Sequence, residues 1–495
     1  MRLYLILALL APGVASAQVP PAPASQEAPR AALSLDEAIT LARRNNPEHL
    51  QTINNRRTAE AAVRTAFGQL LPQADASLSA QRQQGGRQIF GGASLGASSD
   101  VNQSSYQIGI GYRLNQASLI TPKLQRASRD AVEADITGSQ ENLRARVVQQ
   151  YLSVLQAHEK ADLQDTLLVA AKSQLVLAKA RALVGLGTQL DVGRADIAAG
   201  QAEVGVLQTR NQIEIEKLRL FQLMGVDQPA NVVLTTGFTV TGSPPSIVSV
   251  LAAARRSNPT LLALRSRAKV GDLNVKRAKG EYSPTLSINT GISGYTYSFA
   301  NPDFLVGQTA AQTASARVGC IRGEEVRAAV NLPNNLAACS AIAFTPEQAA
   351  VLRRDNRQFP FRFQPSPRSI SATLSLPIFD GFGREQRLQE AQVTSDDARY
   401  GVRHFENVIT EGVTSAYLTL TTAEKTAALQ AQNSAKARME LKFTQDRYRS
   451  GSVNFVDLTE ARAAYERAES DRINAIFDYH KAFAALESAV GGPLR

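Results

Sequence analysis

The stretch ARRNNPEHL at residues 42–50 returns 212 positions later as ARRSNPTLL at 254–262. The same offset carries Pro72 onto Pro284. Further along, VVQQYLSV at 147–154 returns within GVTSAYLTL at 412–420, which places Tyr151 on Tyr417 and Leu152 on Leu418 at an offset of 266. That second offset also pairs Gly185 with Gly451, Asp191 with Asp457 and Gly225 with Gly491. Two constant offsets describe one architecture written twice, with 54 extra residues inserted once between Pro284 and Tyr417. A period above 200 residues is too long for a solenoid and marks a duplicated half-protein.

Each half follows the same plan. Ser34 and Glu37 form a capping box that opens a helix from about Leu35 to Gln69. Pro47 interrupts it and predicts a kink or short break, repeated at Pro259. After Pro72, the residues Ala74, Ala76, Leu78 and Ala80 alternate with Asp75, Ser77, Ser79 and Gln81. Tyr106, Ile108, Ile110, Tyr112 and Leu114 then alternate with Gln107, Gly109, Gly111, Arg113 and Asn115. Such strict alternation predicts strands with one apolar and one polar face. In the second half Leu286, Ile288 and Ile292 share a face, and the phase slips at Ser293-Gly294 before Tyr295, Tyr297 and Phe299, predicting a bulge. A fourth strand sets Ile370, Ala372, Leu374, Leu376 and Ile378 against Ser371, Thr373 and Ser375. Loops are expected at about 84–103 and about 300–367, the latter holding the insertion with Cys320, Cys339, the Arg353-Arg354 pair and Phe359, Phe361 and Phe363. Helical hairpins follow each strand pair: about Leu124–Ala182 with 189–223, and about Arg384–Arg447 with 455–488. A 60-residue helix spans about 90 Å.

The compartment is read from the start of the chain. Arg2, an apolar run from Leu3 to Leu10, and Ala15-Ser16-Ala17 make a signal peptide with cleavage before Gln18. No cysteine follows that site, so no lipid attachment is expected. The apolar run is far shorter than the roughly 20 residues of a spanning helix, whereas alternating segments of about 10 residues are how a β-barrel crosses a membrane. The net charge is +10, with basic residues scattered among acids along helices, which reads as a solvated face rather than a nucleic-acid site. A disulfide between Cys320 and Cys339 fits an exported chain, two free thiols being the alternative. The chain has no Trp, so Tyr and Phe must supply any interfacial girdle.

No catalytic constellation is present: His49, His158, His404 and His480 are scattered, and neither a phosphate loop nor a metal-ligand spacing occurs. No enzyme, cofactor or metal is expected. Attention falls on the hairpin turns, where Asp191 and Asp457 hold equivalent places. They either cap the returning helices, Asp457 together with Asn454, or ring an opening and favour cations.

The interrupted first helix, the Pro-then-strand junctions, the paired Gly-x5-Asp turns and the duplication resemble the TolC family of outer-membrane efflux and type I secretion channels, over about residues 33–491. The resemblance implies a mainly α fold with a small β part. Duplicated long α-helical hairpins form a periplasmic α-barrel, and four transmembrane β-strands per chain close as a 12-stranded β-barrel in a homotrimer. Four strands cannot close alone, and open edges are not tolerated in lipid. The expected layout is signal peptide 1–17, flexible leader 18–32, first repeat 33–225, linker 226–248, second repeat 249–491 with its inserted extracellular loop, and a tail at 492–495.

The resemblance further implies a periplasmic gate of aspartates, a tyrosine and an arginine. Carried over by position, these fall on Asp191, Tyr448, Asp457 and Glu460. Val453 stands where the family has its arginine, which leaves Arg449, Arg447 and Arg194 as candidates to substitute for it. The implied partners are a periplasmic adaptor, an inner-membrane ABC or proton-driven transporter, and outer-membrane lipid. The function implied is a passive exit duct for protein secretion, drug efflux or both, the missing lipid-attachment cysteine leaning toward secretion. The rival reading is an adhesive surface protein acting through its long loop.

Overall fold

A computed structural model describes residues 32–90, 93–97, 99–229, 231–238 and 245–494. The expected signal peptide and nearly all of the leader lie outside the described residues, as do part of the linker and the last residue. In chain order the elements are β1 (Ala32–Leu33), α1 (Leu35–Asn45), α2 (Pro47–Gly68), β2 (Gln73–Gln83), β3 (Arg87–Phe90), β4 (Ala93–Ala97), β5 (Val101–Leu114), α3 (Gln116–Leu183) and α4 (Gln189–Met224). The second half holds β6 (Val233–Leu234), α5 (Ile247–Ser257), α6 (Pro259–Gly280), β7 (Thr285–Phe299), α7 (Pro302–Ala329), α8 (Leu336–Ser340), α9 (Pro346–Asp355), β8 (Gln364–Pro365), β9 (Ser369–Ser375), α10 (Gly383–Arg449) and α11 (Phe455–Val490). Helices α1 and α5 lie 212 residues apart at both ends, and α4 and α11 lie 266 apart. The chain divides into a helical unit, which runs to Val63 and adds Leu124–Asp272 and Ala391–Arg495, and a second unit of Arg64–Lys123 and Leu273–Glu390.

In the helical unit the duplicated stretch folds as one device used twice. A residue before proline is driven out of the helical region, and proline itself is favoured at a first helical position. Helix α1 therefore stops at Asn45, Asn46 takes an extended ψ of 118°, and α2 opens on Pro47. Asn46 Oδ1 accepts from the His49 amide at 2.9 Å, and its Nδ2 donates to Leu223 O at 2.9 Å. In the second half Asn258 accepts from the Leu261 amide at 3.1 Å and donates to Ala489 O at 3.2 Å. Each Asn thus caps one helix and satisfies a terminal carbonyl of another. The glycine ending that other helix fits against the break. Gly225 has φ +69°, and a Cβ there would meet Asn45 O at 2.5 Å; Gly491 has φ +90°, and a Cβ there would meet Pro259 Cδ at 2.5 Å.

Both halves bury matching positions around this joint. Leu143, Val147, Val154, Leu220 and Met224 form one core, and Ile409, Val413, Leu420, Leu486 and Val490 form the other. Removing one such buried leucine costs about 2–5 kcal/mol. Tyr151 departs from the symmetry. It is fully buried, its hydroxyl donates to Leu33 O at 2.9 Å and accepts from the Thr236 amide at 3.1 Å. It thereby ties down the parallel pair β1–β6.

The second unit holds an antiparallel sheet in the order β2-β5-β7, with β9 and the short β8 both pairing with β7. Directly paired residues share a face. One face carries Leu78, Ile108, Ile110, Ile288, Ile292, Ile370 and Leu374; the other carries Asp75, Ser77, Gln107, Asn289, Ser371 and Thr373. The expected bulge at Ser293-Gly294 is absent, because β5 and β7 pair without a break from Val101↔Phe299 to Leu114↔Leu286. The step falls on the other side of β7. Gly291 pairs with Ser369, but Gly294 pairs with Pro365, one residue out of register. Tyr295 and Tyr297 therefore lie on the polar face beside Ser105 and Gln103. Gly294 makes the regular register possible, since a Cβ there would meet the Tyr106 ring at 2.5 Å.

Three further boundaries differ from the sequence reading. The fourth strand ends at Ser375, just before Pro377, which has no amide to donate to a ladder, so Leu376 and Ile378 lie beyond the pairing. Helix α3 starts at Gln116 rather than near Leu124 and contains Pro122. A reciprocal cap starts it early: Asn115 Oδ1 accepts from the Ser118 amide at 2.7 Å, and Ser118 Oγ accepts from the Asn115 amide at 3.2 Å. The inserted loop is structured, with α7, α8 and α9 opened by caps at Asn301, Asn335 and Thr345. A disulfide joins Cys320 to Cys339, with Cα atoms 5.6 Å apart. The shorter loop near 84–103 holds the β3–β4 hairpin.

Candidate functional site

The two hairpin turns are built alike. After α3, Gly185 takes φ +73° and the Leu186 amide donates to Arg181 O at 2.9 Å. After α10, Gly451 takes φ +81° and the Ser452 amide donates to Arg447 O at 2.9 Å. Glycine meets the left-handed conformation without a Cβ clash and closes the helix end. The returning helices α4 and α11 then start on capping boxes, Thr188 with Asp191 and Asn454 with Asp457. Asp191 Oδ2 accepts from the Thr188 amide at 3.2 Å and from its hydroxyl at 2.7 Å. Asp457 Oδ2 accepts from the Asn454 amide at 3.2 Å. Both carboxylates also sit where the positive helix end favours them.

Within one protomer the sequence-derived gate residues do not assemble. Among the described residues, no hydrogen bond or ion pair joins any two of Asp191, Tyr448, Asp457, Glu460, Arg449 and Arg194. Arg449 lies 3.7 Å from Asp446, and Glu460 and Arg194 are exposed. Tyr448 is the exception in burial. It packs with Phe455, Leu458, Ala178 and Ala195, its ring edge-on to Phe455 at 6.2 Å. Val453, at the family arginine position, borders this cluster.

The arginine that engages Tyr448 is Arg181, which the sequence reading did not name. Its guanidinium stands 4.8 Å from the Tyr448 ring centroid, and Nη1 donates to Tyr448 O at 2.7 Å. A guanidinium over an aromatic face contributes about 0.5–2 kcal/mol, more as water is excluded. The contact crosses 267 residues of sequence and ties the end of α3 to the end of α10. A signal did exist: the 266-residue offset maps Arg447, one of the three arginines considered, onto Arg181. The same offset maps Tyr448 onto Ala182, so the clasp can form only one way round.

The two tips differ in what they expose. The first presents Leu183, Val184 and Leu186, with Leu183 88% exposed, while Leu190 is matched by the exposed Val456 of the second. The second presents Arg449, Ser450, Ser452 and Asn454. The arrangement offers no nucleophile with a base. Of the histidines, His49 bonds Ser139 at 3.1 Å, and burial, then Arg43, pushes its pKa below the usual value.

The sequence matches the family described as "Outer membrane efflux protein" over residues 38–226 and 350–492. The chain belongs to that family. It is similar to the fusaric acid resistance protein FusA of Burkholderia cepacia, 24% identical over 66% of this chain and 63% of that protein. It is also similar to the pyoverdine export outer membrane protein OpmQ of Pseudomonas putida, 26% identical over 54% of this chain and 59% of that one. The matches thus span about three-fifths of the length of these curated relatives. The fold is similar to the CmeC outer membrane channel of Campylobacter jejuni, with a TM-score of 0.68 at 15% identity over 92% of this chain and 85% of that one. The chain is therefore a member of the outer membrane efflux family with the fold of solved outer-membrane channels. Its relatives are channel proteins, and channels of this family work with adaptors and inner-membrane transporters.

Proposed function

We propose that three copies of this chain form the passive exit duct of a tripartite exporter, and that the hairpin tips are its periplasmic gate. The observation that carries the gate is the clasp of Arg181 on Tyr448, which links the two hairpins at the end where a tunnel must close. The capped carboxylates of Asp191 and Asp457, with Glu460, Arg194 and Arg449, then meet their counterparts across the threefold axis and set the charge of the opening. In the barrel, β2 and β9 each pair with one neighbouring strand, and β2 of one copy pairs with β9 of the next. Repeats 33–225 and 249–491, freed of the signal peptide 1–17, make up each subunit.

The duct has no energy source of its own. A periplasmic adaptor docks on the tips, where Leu183, Val184, Leu186 and Leu190 offer apolar surface, and an ABC or proton-driven transporter drives export. The relatives named for fusaric acid resistance and pyoverdine export support small molecules as cargo rather than the polypeptides toward which the sequence leaned. The test compares a gene deletion with its parent. Sensitisation to small molecules such as fusaric acid, with unchanged secreted proteins, is the expected result. Loss of secreted polypeptides with unchanged sensitivity would overturn the cargo.

A further inference from the structure

The insertion does not only cap the end of the sheet; its last part folds back over the face that carries the isoleucines. Toward the loop end of the sheet that face turns polar, with Asn102 opposite Ser298 and Ser104 opposite Thr296. Ser104, Thr296 and Ser298 are nevertheless buried. Residues 356–363 cover them. Asn356 bonds both the amide and the carbonyl of Phe299 at 2.8 Å, and the Phe359 amide donates to Ser298 Oγ at 3.1 Å. Ser104 Oγ donates to Pro360 O at 2.6 Å, and Phe363 stacks edge-on to Tyr106 at 4.9 Å. Below this strap the same face exposes Ile108, Ile110, Ile292 and Ile370, the lipid side of an outer-membrane barrel.

The strap is strongly basic and aromatic. Residues 353–368 contain five arginines against the single acid Asp355. Arg353 is committed to Asp303 at 2.8 Å, and Arg354 lies 3.7 Å from Asp355. Arg357, Arg362 and Arg368 are exposed and form no ion pair among the described residues. Phe361 beside them is 72% exposed. Aromatic rings settle at the boundary between hydrocarbon and headgroups, and a guanidinium fits a phosphate with paired donors. The chain has no Trp, and Tyr295 and Tyr297 lie on the polar face, so the aromatic groups near the loop end of the isoleucine face are Tyr106 and the phenylalanines of the strap.

We propose that Arg357, Arg362 and Arg368, with Phe361, form a binding site for phosphorylated lipid of the outer leaflet. The inference rests on the outer-membrane placement and is independent of the gate. The rings and the isoleucine face take the acyl boundary, and the three arginines take headgroup phosphate. The site is extracellular by topology, since both strand-to-strand connections lie at the end of the sheet opposite the strand-to-helix junctions.

The test uses the purified trimer in detergent and counts retained lipid by native mass spectrometry. The probes are bisphosphorylated lipid A, its dephosphorylated form, and inorganic phosphate as competitor. The protein should retain the phosphorylated lipid over the dephosphorylated one, and the triple variant Arg357→Gln, Arg362→Gln, Arg368→Gln should lose at least about tenfold in retention. Phe361→Ser should weaken both lipids together. Unchanged conductance and trimer stability of each variant serve as the control for folding. Equal retention of both lipids by the parent, or full retention by a folded triple variant, would overturn the proposal. Complete displacement by millimolar inorganic phosphate would make it a simple anion site and overturn the lipid assignment.

Discussion

The two hairpin tips come from one duplicated design, and they agree in backbone while differing in surface. Both use a left-handed glycine, Gly185 and Gly451, and both start the returning helix on a capping box closed by an aspartate. The first tip exposes leucines and valine, whereas the second exposes Arg449 and two serines. Geometry that a sharp helical reversal requires has been kept, and side chains that geometry leaves free have diverged. The divergence is also what makes the clasp directional. Arg181 finds Tyr448, whereas the equivalent Arg447 would face the position of Ala182.

That contrast sets the expected effects of substitution, from large to small. Tyr448→Ala removes a buried ring from the tip cluster and should cost about 3–5 kcal/mol in thermal unfolding. Tyr448→Phe should be nearly silent, because Arg181 uses the ring face and the main-chain carbonyl, not the hydroxyl. A large loss in the Phe variant would show that the hydroxyl carries the contact. Gly225→Ala and Gly491→Ala probe the joint where the halves still agree. Each forces a Cβ to 2.5 Å from its neighbour at positive φ, and each should cost at least about 2 kcal/mol. Unequal denaturant midpoints would mean that the joints, like the tips, have diverged.

Smaller effects test the caps. Asp191→Ala and Asp457→Ala should each cost about 1 kcal/mol, equally in the two halves. If the carboxylates only cap, cation preference in single-channel records stays unchanged; if they also line the opening, it falls. The smallest effect is one of pH. The Glu469 carboxyl is held below its usual value by Arg472 and also accepts from Ser434. Its folded pKa is depressed, so its stabilisation is full above the ordinary carboxylate range and is lost as pH falls through and below that range. A Glu469→Gln variant should lose that part of the acid dependence, by less than about 1 kcal/mol. An unaltered acid unfolding curve would remove this role.

Much of the fold was legible because it is periodic or repeated. The Asn-Pro break at 46–47 and 258–259, the four alternating strands and the two hairpins follow from local rules that the sequence states twice. What escaped depends on partners far along the chain. The phase slip at Ser293-Gly294 looked like a bulge, but Tyr106 fills the space over Gly294 and keeps β5 and β7 in register. The helices of the insertion had visible starts at Asn301-Pro302 and Thr345-Pro346, masked by their lack of apolar period; among the described residues α7 buries no side chain. In the candidate site, Tyr448 could be named from its position within one repeat, whereas Arg181, its contact, lies in the other repeat and is not marked by that position.

The most direct test records single-channel conductance of Arg181→Ala and Arg447→Ala in planar bilayers. Arg181→Ala is expected to open the channel and Arg447→Ala to match the parent, although the two positions are equivalent in the repeat. Equal conductance for both variants, whether raised or unchanged, would contradict the clasp as the element that holds the tips closed.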